Sequence, residues 1–451
     1  MAYSVLLTMQ APRRKSLYIN TLPPLGLLSI TSSLKSQGIP VRVRDCYIDT
    51  IAESDVHRAD IVGLSVNIAN VEESLEAAAH IKKTWPEKKV IFGGPLCMSV
   101  PEEVIRQEGV DAVAVCEGEE LMCELALGRP WHEVRGLYLK DAEGKPFFTG
   151  QREWIKNLDR LPFPALDMVD LRRYYSPVKK ALPISSIITS RGCPYNCLFC
   201  MKSTGSTWRA RSPENVVNEI VWQVRELGVH EICIYDENFI MDAARAEDIC
   251  DRIMSRKIRV RIQLTNGIRV DHLTRSLIST LKAAGVWIVG VAPETGNRET
   301  LKRIGKRFDL DKVTEAVRWC REEGLATWSF FMIGFPWETV SQIENTIRYA
   351  AALDTELTHF ARVIAFPGTR LYEMISVNKT AGANALCDHG LFYGGVSHEI
   401  AGVTERELQR LIIKAHRAVY LKPGKWLRLL RMLSPGDLWR LFLYSFVTGN
   451  V

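Results

Sequence analysis

Short runs of continuous apolar residues alternate with segments of helical period through the first part of the chain. YSVLLTM, VRVRDCYI, ADIVGLSV, KVIFGG and VDAVAVCEG read as strands, and PLGLLSITSSLKSQG and NVEESLEAAAHIKKTWP between them place apolar residues at helical spacing. A strand that is apolar on both faces is buried on both, which calls for a parallel sheet with helices on each side. Residues 1–130 are therefore expected to form a doubly wound, Rossmann-like α/β domain with its ligand beyond the carboxyl ends of the strands.

Residues 131–182 break this pattern. LKDAEGKPFFTG reads as a small hairpin, and NLDRLPFPALDMVDLRRYYSP as a proline-punctuated linker. A second alternating series covers residues 183–385. Its strands are ISSIITS, EICIYDEN, RIQLTNG, WIVGVAPET, ATWSFFMIGFP and THFARVIAFPG, joined by helices such as SPENVVNEIVWQVRELG, AEDICDRIMSR and SQIENTIRYAAAL. Six such units fit a partial (β/α)6 barrel better than a flat sheet. Residues 386–451 read as a helical extension with a basic, tryptophan-containing tail. No solenoid repeat or low-complexity tract interrupts the chain.

Composition adds limits. With 451 residues, 47% hydrophobic and 24% charged, the chain can build two or three cored domains of a globular enzyme. A formal charge of +6 permits an anionic substrate or a membrane surface but does not indicate nucleic-acid binding. Eleven cysteines without a secretory signal argue against a disulfide framework and for a reducing cytoplasm. In MAYSVLLTMQAPRRK the basic cluster follows the apolar run, the reverse of a signal peptide. No apolar stretch reaches the roughly 20 residues that span a bilayer.

RGCPYNCLFC places Cys193, Cys197 and Cys200 directly after the first strand of the second series, at the end where barrel active sites form. A structural zinc site takes four ligands and a ferredoxin-type cubane four thiolates. Three thiolates can hold three irons of a 4Fe–4S cluster and leave the fourth to a ligand from outside. The bland alternative is a zinc knuckle or a set of buried thiols. CxxxCxxC with an aromatic residue before the last cysteine resembles the signature of radical S-adenosylmethionine (SAM) enzymes. The resemblance implies that the methionine portion of SAM occupies the open iron. One electron, from a donor such as flavodoxin or ferredoxin, then cleaves the sulfonium to a 5′-deoxyadenosyl radical.

The resemblance continues in order along the chain. Phe199 takes the aromatic position near the adenine. RARSPENVVNEI resembles the segment after the cluster loop, where Arg209 or Arg211 can hold a carboxylate through a bidentate fork. YDENF ends a strand where relatives place acceptors for the methionine ammonium, offering Asp236, Glu237 and Asn238, with Glu237 preferred. GVAPETG resembles Gly-x-Glu-Ser/Thr-Gly and implies Glu294 near the ribose, although Pro293 departs from that pattern. FMIGFPWET and AFPGTRLYE match the fifth and sixth strands, and Gly334 allows close backbone approach. Singly, each of these residues reads equally well as a solvated carboxylate or a turn residue. Their order on successive strand ends carries the reading.

PLGLLSITSSLKSQG, GLSVN, FGGP and CEGEE resemble the cobalamin-binding domain fused to many radical SAM enzymes. This implies contacts from Leu25 and Gly26, Ser65 and Asn67, Gly93 and Gly94, and Glu117 and Gly118. The glycine pair lets a nucleotide tail pass close to backbone, and Ser65 can bond the benzimidazole end. YINTLP stands where the family's Asp-x-His-x-x-Gly supplies a histidine to cobalt, so no protein histidine is expected on the metal. A Rossmann-like domain without its ligand is the alternative.

Together the two resemblances span about residues 3–375. They imply a cobalamin-dependent radical SAM enzyme that methylates an unreactive carbon of an organic substrate, both domains facing one cavity. Oxidation or cyclisation without methyl transfer, as in the anaerobic magnesium-protoporphyrin ester cyclase, uses the same cofactors. The tRNA methylthiotransferase group, which shares the core architecture, needs a second cluster from three N-terminal cysteines, but Cys46, Cys97, Cys116 and Cys123 sit in or beside predicted strands and read as ordinary buried cysteines. A cluster- and cobalamin-binding sensor is the non-enzymatic reading. In the tail, Trp426, Leu427, Leu430 and Leu433 fall opposite Lys425, Arg428 and Arg431 at helical spacing. Such a stripe is either an interfacial helix on an anionic membrane or a face packed on the body of the protein.

Overall fold

Seven strands build the first sheet: β1 (Val5–Met9), β2 (Val41–Asp45), β3 (Ile61–Ser65), β4 (Lys89–Gly93), β5 (Ala112–Ala114), β6 (Leu137–Lys140) and β7 (Pro146–Phe148). Their order is β2-β1-β3-β4-β5-β6-β7. Pairing is parallel through β5 and antiparallel from β5 to β7, so the hairpin extends the sheet rather than standing in the linker. The computed structural model describes residues 2–13, 21–376 and 403–443.

Continuous apolar runs are what a sheet covered on both faces requires, and the two faces separate residue by residue. Val5, Leu7 and Ile91 pack into one core with the helices Leu25–Ser36 and Gly118–Ala126. Leu6, Val62, Leu64, Val90 and Phe92 pack into another with Val71–Thr84 and Pro101–Ile105. Successive side chains alternate between the cores, as the strand period of two demands.

The second sheet is β8 (Ile184–Ile187), β11 (Glu231–Ile234), β12 (Arg261–Ile268), β13 (Val286–Glu294), β14 (Ala326–Ile333) and β15 (Leu357–Arg362), all parallel. Its order runs β8-β11-β12-β13-β14-β15 and the two ends do not pair, so this is an open, partial barrel. An antiparallel ribbon of β9 (Ser190–Arg191) and β10 (Arg209–Ala210) brackets the cysteine loop. The next helix, Pro213–Arg225, starts abruptly: Ser212 Oγ accepts from the Asn215 N–H at 3.2 Å and Pro213 presets the first turn.

Helices Glu405–Tyr420, Pro423–Leu430 and Pro435–Leu443 end the described chain. The start of the helical extension, before residue 403, lies outside the described residues. The expected tail stripe is rotated. Lys425 is 1% exposed and Leu429 and Leu433 are buried, whereas Leu427 and Leu430 are 65% and 60% exposed. The Trp426 indole N–H donates to the Tyr420 carbonyl at 2.7 Å, and the Lys425 amine lies 4.7 Å over the Tyr420 ring. These contacts across the break at Lys422 fix the rotation of a helix too short to choose its own face. No helix among the described residues is long and apolar enough to cross a membrane.

Candidate functional site

The cysteine loop is shaped by backbone that only glycine tolerates. Gly192 has φ +89°, and a Cβ there would stand 2.2 Å from the Thr207 carbonyl oxygen. The Cys193 N–H then donates to Gly205 O at 3.2 Å, the Cys200 N–H to Cys197 O at 3.2 Å, and the Leu198 N–H to Ile304 O at 3.0 Å. Cys193 and Cys197 are half-buried and Cys200 is exposed. Burial raises the Cys197 thiol above its ordinary range while the nearby Lys306 ammonium opposes the shift. No three His, Cys, Asp or Glu side chains among the described residues are gathered to hold a single metal ion. Ligands of a cubane sit on separate irons, which calls for a wider spacing than one ion does.

The strand-end residues have distinct environments. Asp236, buried, accepts from the Thr189 N–H at 2.6 Å and from the hydroxyls of Thr189 and Ser190 at 2.5 and 2.6 Å. It ties the segment after β11 to the segment after β8, and its oxygens are taken up by these bonds. Glu237 accepts from the Thr204 hydroxyl and lines a cavity. Asn238 is 2% exposed, and neither its amide nitrogen nor its oxygen has a partner. An unpartnered buried amide costs about 1–3 kcal/mol, so it marks a place where something polar is missing. Glu294, at φ +65°, accepts from Lys306 Nζ at 2.7 Å. Phe199 packs against Phe335 at 6.1 Å between ring centres. Gly334 has φ +97°, and a Cβ there would meet Leu408 at 3.2 Å.

Both arginines are engaged inside the protein. Arg211 Nη1 lies 2.5 Å from Glu219 and donates to Ile188 O at 3.0 Å. Arg209 donates to both Glu117 oxygens at 3.0 and 2.9 Å and to Ile155 O at 2.6 Å. Arg209 does grip a carboxylate, but through one nitrogen, Nη1, rather than a two-nitrogen fork, and that carboxylate is the protein's own; its Nη2 donates to Thr204 O at 2.9 Å.

A cavity of about 340 Å³ opens between the carboxyl ends of the two sheets. Leu25, Gly26, Ser65, Gly93, Gly94, Glu117 and Gly118 line it from the first domain; Arg211, Tyr235 and Glu237 line it from the barrel. Asn67 does not: its Oδ1 accepts from the Ala69 N–H at 2.8 Å and holds the turn after β3. Gly94, at φ +100°, has no room for a side chain, since a Cβ would come 2.8 Å from Val66 O. Gly93 has ordinary clearance, 3.8 Å to Ala114, so its missing side chain leaves space rather than relieving strain. Within YINTLP, residues 18–20 lie outside the described residues.

Four residues escape sequence reasoning: Ser29, Glu119, Arg191 and Lys306. Arg191 donates to Glu117 at 2.8 Å and to Glu119 at 2.6 Å, and Ser29 Oγ donates to Glu119 at 2.7 Å. Burial pushes the Glu119 carboxyl up, but the Arg191 guanidinium and these hydrogen bonds outweigh it and hold it below the ordinary carboxylate range. Arg191 adjoins the cysteine motif, yet nothing in a single sequence pairs it with residues more than 70 positions away. Cys46, Cys97, Cys116 and Cys123 are free thiols in or beside the strands and helices of the first domain.

These residues fit the cofactors the motifs imply: three cysteines on one loop, an orphaned buried amide just past β11, and a glycine-lined cleft between the two domains. The chain matches the Radical SAM superfamily over residues 187–350 and the B12 binding domain over residues 18–126. It is 30% identical over 416 residues to an uncharacterized methyltransferase of Pyrococcus horikoshii, covering 89% of this chain and 88% of the relative. It is 27% identical to the hopanoid C-3 methylase of Methylococcus capsulatus, covering 90% of this chain and 78% of that one. The fold matches the radical SAM methyltransferase TsrM from Kitasatospora setae, solved with cobalamin and a 4Fe–4S cluster bound. The TM-score is 0.69 at 21% identity, over 84% of this chain and 76% of that one. The cofactors are thus a 4Fe–4S cluster, SAM and cobalamin. The chain belongs to the radical SAM superfamily, among its members with a B12-binding domain, and is a cobalamin-dependent radical SAM enzyme.

Proposed function

We propose that this enzyme transfers a methyl group to an unactivated carbon of an organic substrate. The observation that carries the reading is the shared cavity: Ser65, Gly93 and Gly94 from one domain and Tyr235 and Glu237 from the other line a single space. Methyl transfer needs the carbon that loses hydrogen and the methyl that replaces it within reach of one another, which one cavity between two cofactor sites provides.

In this reading Cys193, Cys197 and Cys200 hold the cluster, Asn238 and Glu237 receive the amino-acid end of SAM, and Ser65, Gly93 and Gly94 receive the cobalamin tail. When bound, these groups supply a 5′-deoxyadenosyl radical and a cobalt-borne methyl. The chain's own part is placement. Gly192 and Ile304 fix the cysteine loop, and Arg191 and Arg209 fix it against the cobalamin-binding domain. Leu25, Ile91 and Pro162 give the cavity apolar walls.

A reducing cytoplasm suits the free thiols of the described residues. Exposed Leu427, Leu430 and Trp439, near Arg431 and Arg440 in sequence, support peripheral contact with an anionic membrane through the C-terminal helices.

Turnover with SAM carrying a deuterated methyl group tests the function. A product heavier by the labelled methyl, with one S-adenosylhomocysteine and one 5′-deoxyadenosine formed per turnover, is expected. A product of unchanged carbon count, formed with deoxyadenosine alone, assigns oxidation or cyclisation instead.

A further inference from the structure

Beside the cysteine loop lies an open cleft of about 570 Å³ whose charged lining is five basic residues, Arg298, Lys302, Lys306, Arg307 and Lys312, against Asp271 and Asp309. Two of these cations are neutralised in place. Lys306 pairs with Glu294 at 2.7 Å, and Arg298 with Asp309 and Asp311 at 2.8 and 3.0 Å. Lys302, Arg307 and Lys312 are exposed and form no ion pair among the described residues.

The cleft walls are the segments that hold the cysteine loop. On one side the Leu198 N–H bonds to Ile304 O at 3.0 Å, and a Cβ on Gly305 would lie 3.1 Å from Asn196 O. On the other, Tyr195 shares a hydrogen bond with His272 at 3.1 Å, next to Asp271. The stretch Lys302–Arg307, with four cations in six residues, is thus fastened to the loop between Cys193 and Cys200. Cys200 is itself exposed. The substrate cavity lies elsewhere, between the two sheets, and Lys306 is not among its lining.

We propose that this cleft is the docking face for an acidic one-electron carrier protein. The proposal rests on the cysteine loop holding the cluster. Electron tunnelling falls steeply with distance, so a carrier must seat its redox group against the outer face of the loop. A positive face there steers a negative partner into that position without closing off the substrate side. The step is a bare electron transfer: the carrier is oxidised by one electron, the cluster is reduced by one, no bond forms or breaks, and no proton moves. Carrier docking on one face and substrate entry on another lets both proceed at once.

The test uses the full-length, cluster-loaded enzyme, an acidic flavodoxin, and the triple variant K302E/R307E/K312E. Binding is measured by titrating fluorescently labelled flavodoxin at low and at high salt. Deoxyadenosine release is measured with reduced flavodoxin and, separately, with dithionite. The variant should bind flavodoxin about tenfold more weakly at low salt, and the difference should shrink at high salt. It should lose flavodoxin-driven but retain dithionite-driven SAM cleavage. Unchanged flavodoxin affinity in the variant overturns the proposal, as does equal loss with both reductants. If the wild type releases no deoxyadenosine even with dithionite, the functional reading fails; the titration still decides the docking face.

Discussion

Arg191 lies 2.6 Å from Glu119 and holds the barrel to the cobalamin-binding domain two positions before Cys193. Glu117 reinforces the junction by accepting from both Arg191 and Arg209. The relative position of the cysteine loop and the shared cavity therefore depends on a few partly or fully buried ion pairs. Burial makes such pairs poor sources of net stability but expensive to break from one side, which suits a junction that fixes geometry.

Replacing Arg191 with Met leaves Glu119 buried beside Ser29 without its cation. The expected loss is about 3–5 kcal/mol, read as a lower urea midpoint, together with weaker cobalamin binding. Arg191→Lys keeps the charge but loses the fork between Glu117 and Glu119, and should fall between wild type and Arg191→Met. Equal midpoints for all three proteins would remove the junction from the account.

Glu338 gives a pH signature. Burial pushes its carboxyl up to about 6, against the lowering effect of the Phe335 and Gly334 N–H groups, which donate to it at 3.0 and 2.9 Å. The folded protein thus holds this proton more tightly than the unfolded chain does. Above pH 6 the ionised carboxylate is destabilising, and the cost is relieved as pH falls from about 6 to 4.5. Glu338→Gln keeps an acceptor for both N–H groups and cannot titrate. Relative to it, the wild type should gain about 2 kcal/mol across that window, measured by denaturation at a series of pH values.

Gly93 and Gly94 should respond differently to substitution. Gly93→Val projects into open space in the cavity and should weaken cobalamin binding with little change in the apoprotein's melting temperature. Gly94→Ala must adopt φ +100° with its Cβ 2.8 Å from Val66 O, so it should lower the melting temperature before any ligand is added. Parallel titrations and melts of the two apoproteins separate a cofactor contact from a backbone constraint.

Asn238→Leu replaces an unpartnered amide with an apolar group of similar size. The free protein should gain about 1 kcal/mol, because two buried unsatisfied groups disappear, while SAM binding measured by equilibrium dialysis should weaken. If SAM affinity is unchanged, the amide does not face the cosubstrate.

The triple variant C193A/C197A/C200A, reconstituted anaerobically, should lack the broad cluster absorbance and bound iron while keeping the wild-type far-ultraviolet spectrum. Iron retained at the wild-type level would place the cluster elsewhere.

Much of this protein is decided locally and is therefore legible in its sequence. Apolar runs such as VIF in β4 alternate their side chains between two cores by the geometry of a strand alone. The spacing of Cys193, Cys197 and Cys200 sets a loop that covalent geometry keeps together, and Ser212-Pro213 announces a helix start by hydrogen bonds that span three residues. What the sequence could not decide is which polar groups meet across the fold. Arg209 and Arg211 look like free carboxylate binders until folding delivers Glu117 and Glu219 to them. Asp236, Glu237 and Asn238 are adjacent in sequence, yet one ties together the segments after two strands, one lines the cavity and one has no partner. The face that Lys425 and Leu427 present is likewise set by Tyr420 across a break in the helix. Periodicity and motif spacing are properties of neighbouring residues, whereas charge pairing and burial depend on surfaces that exist only once distant segments have packed.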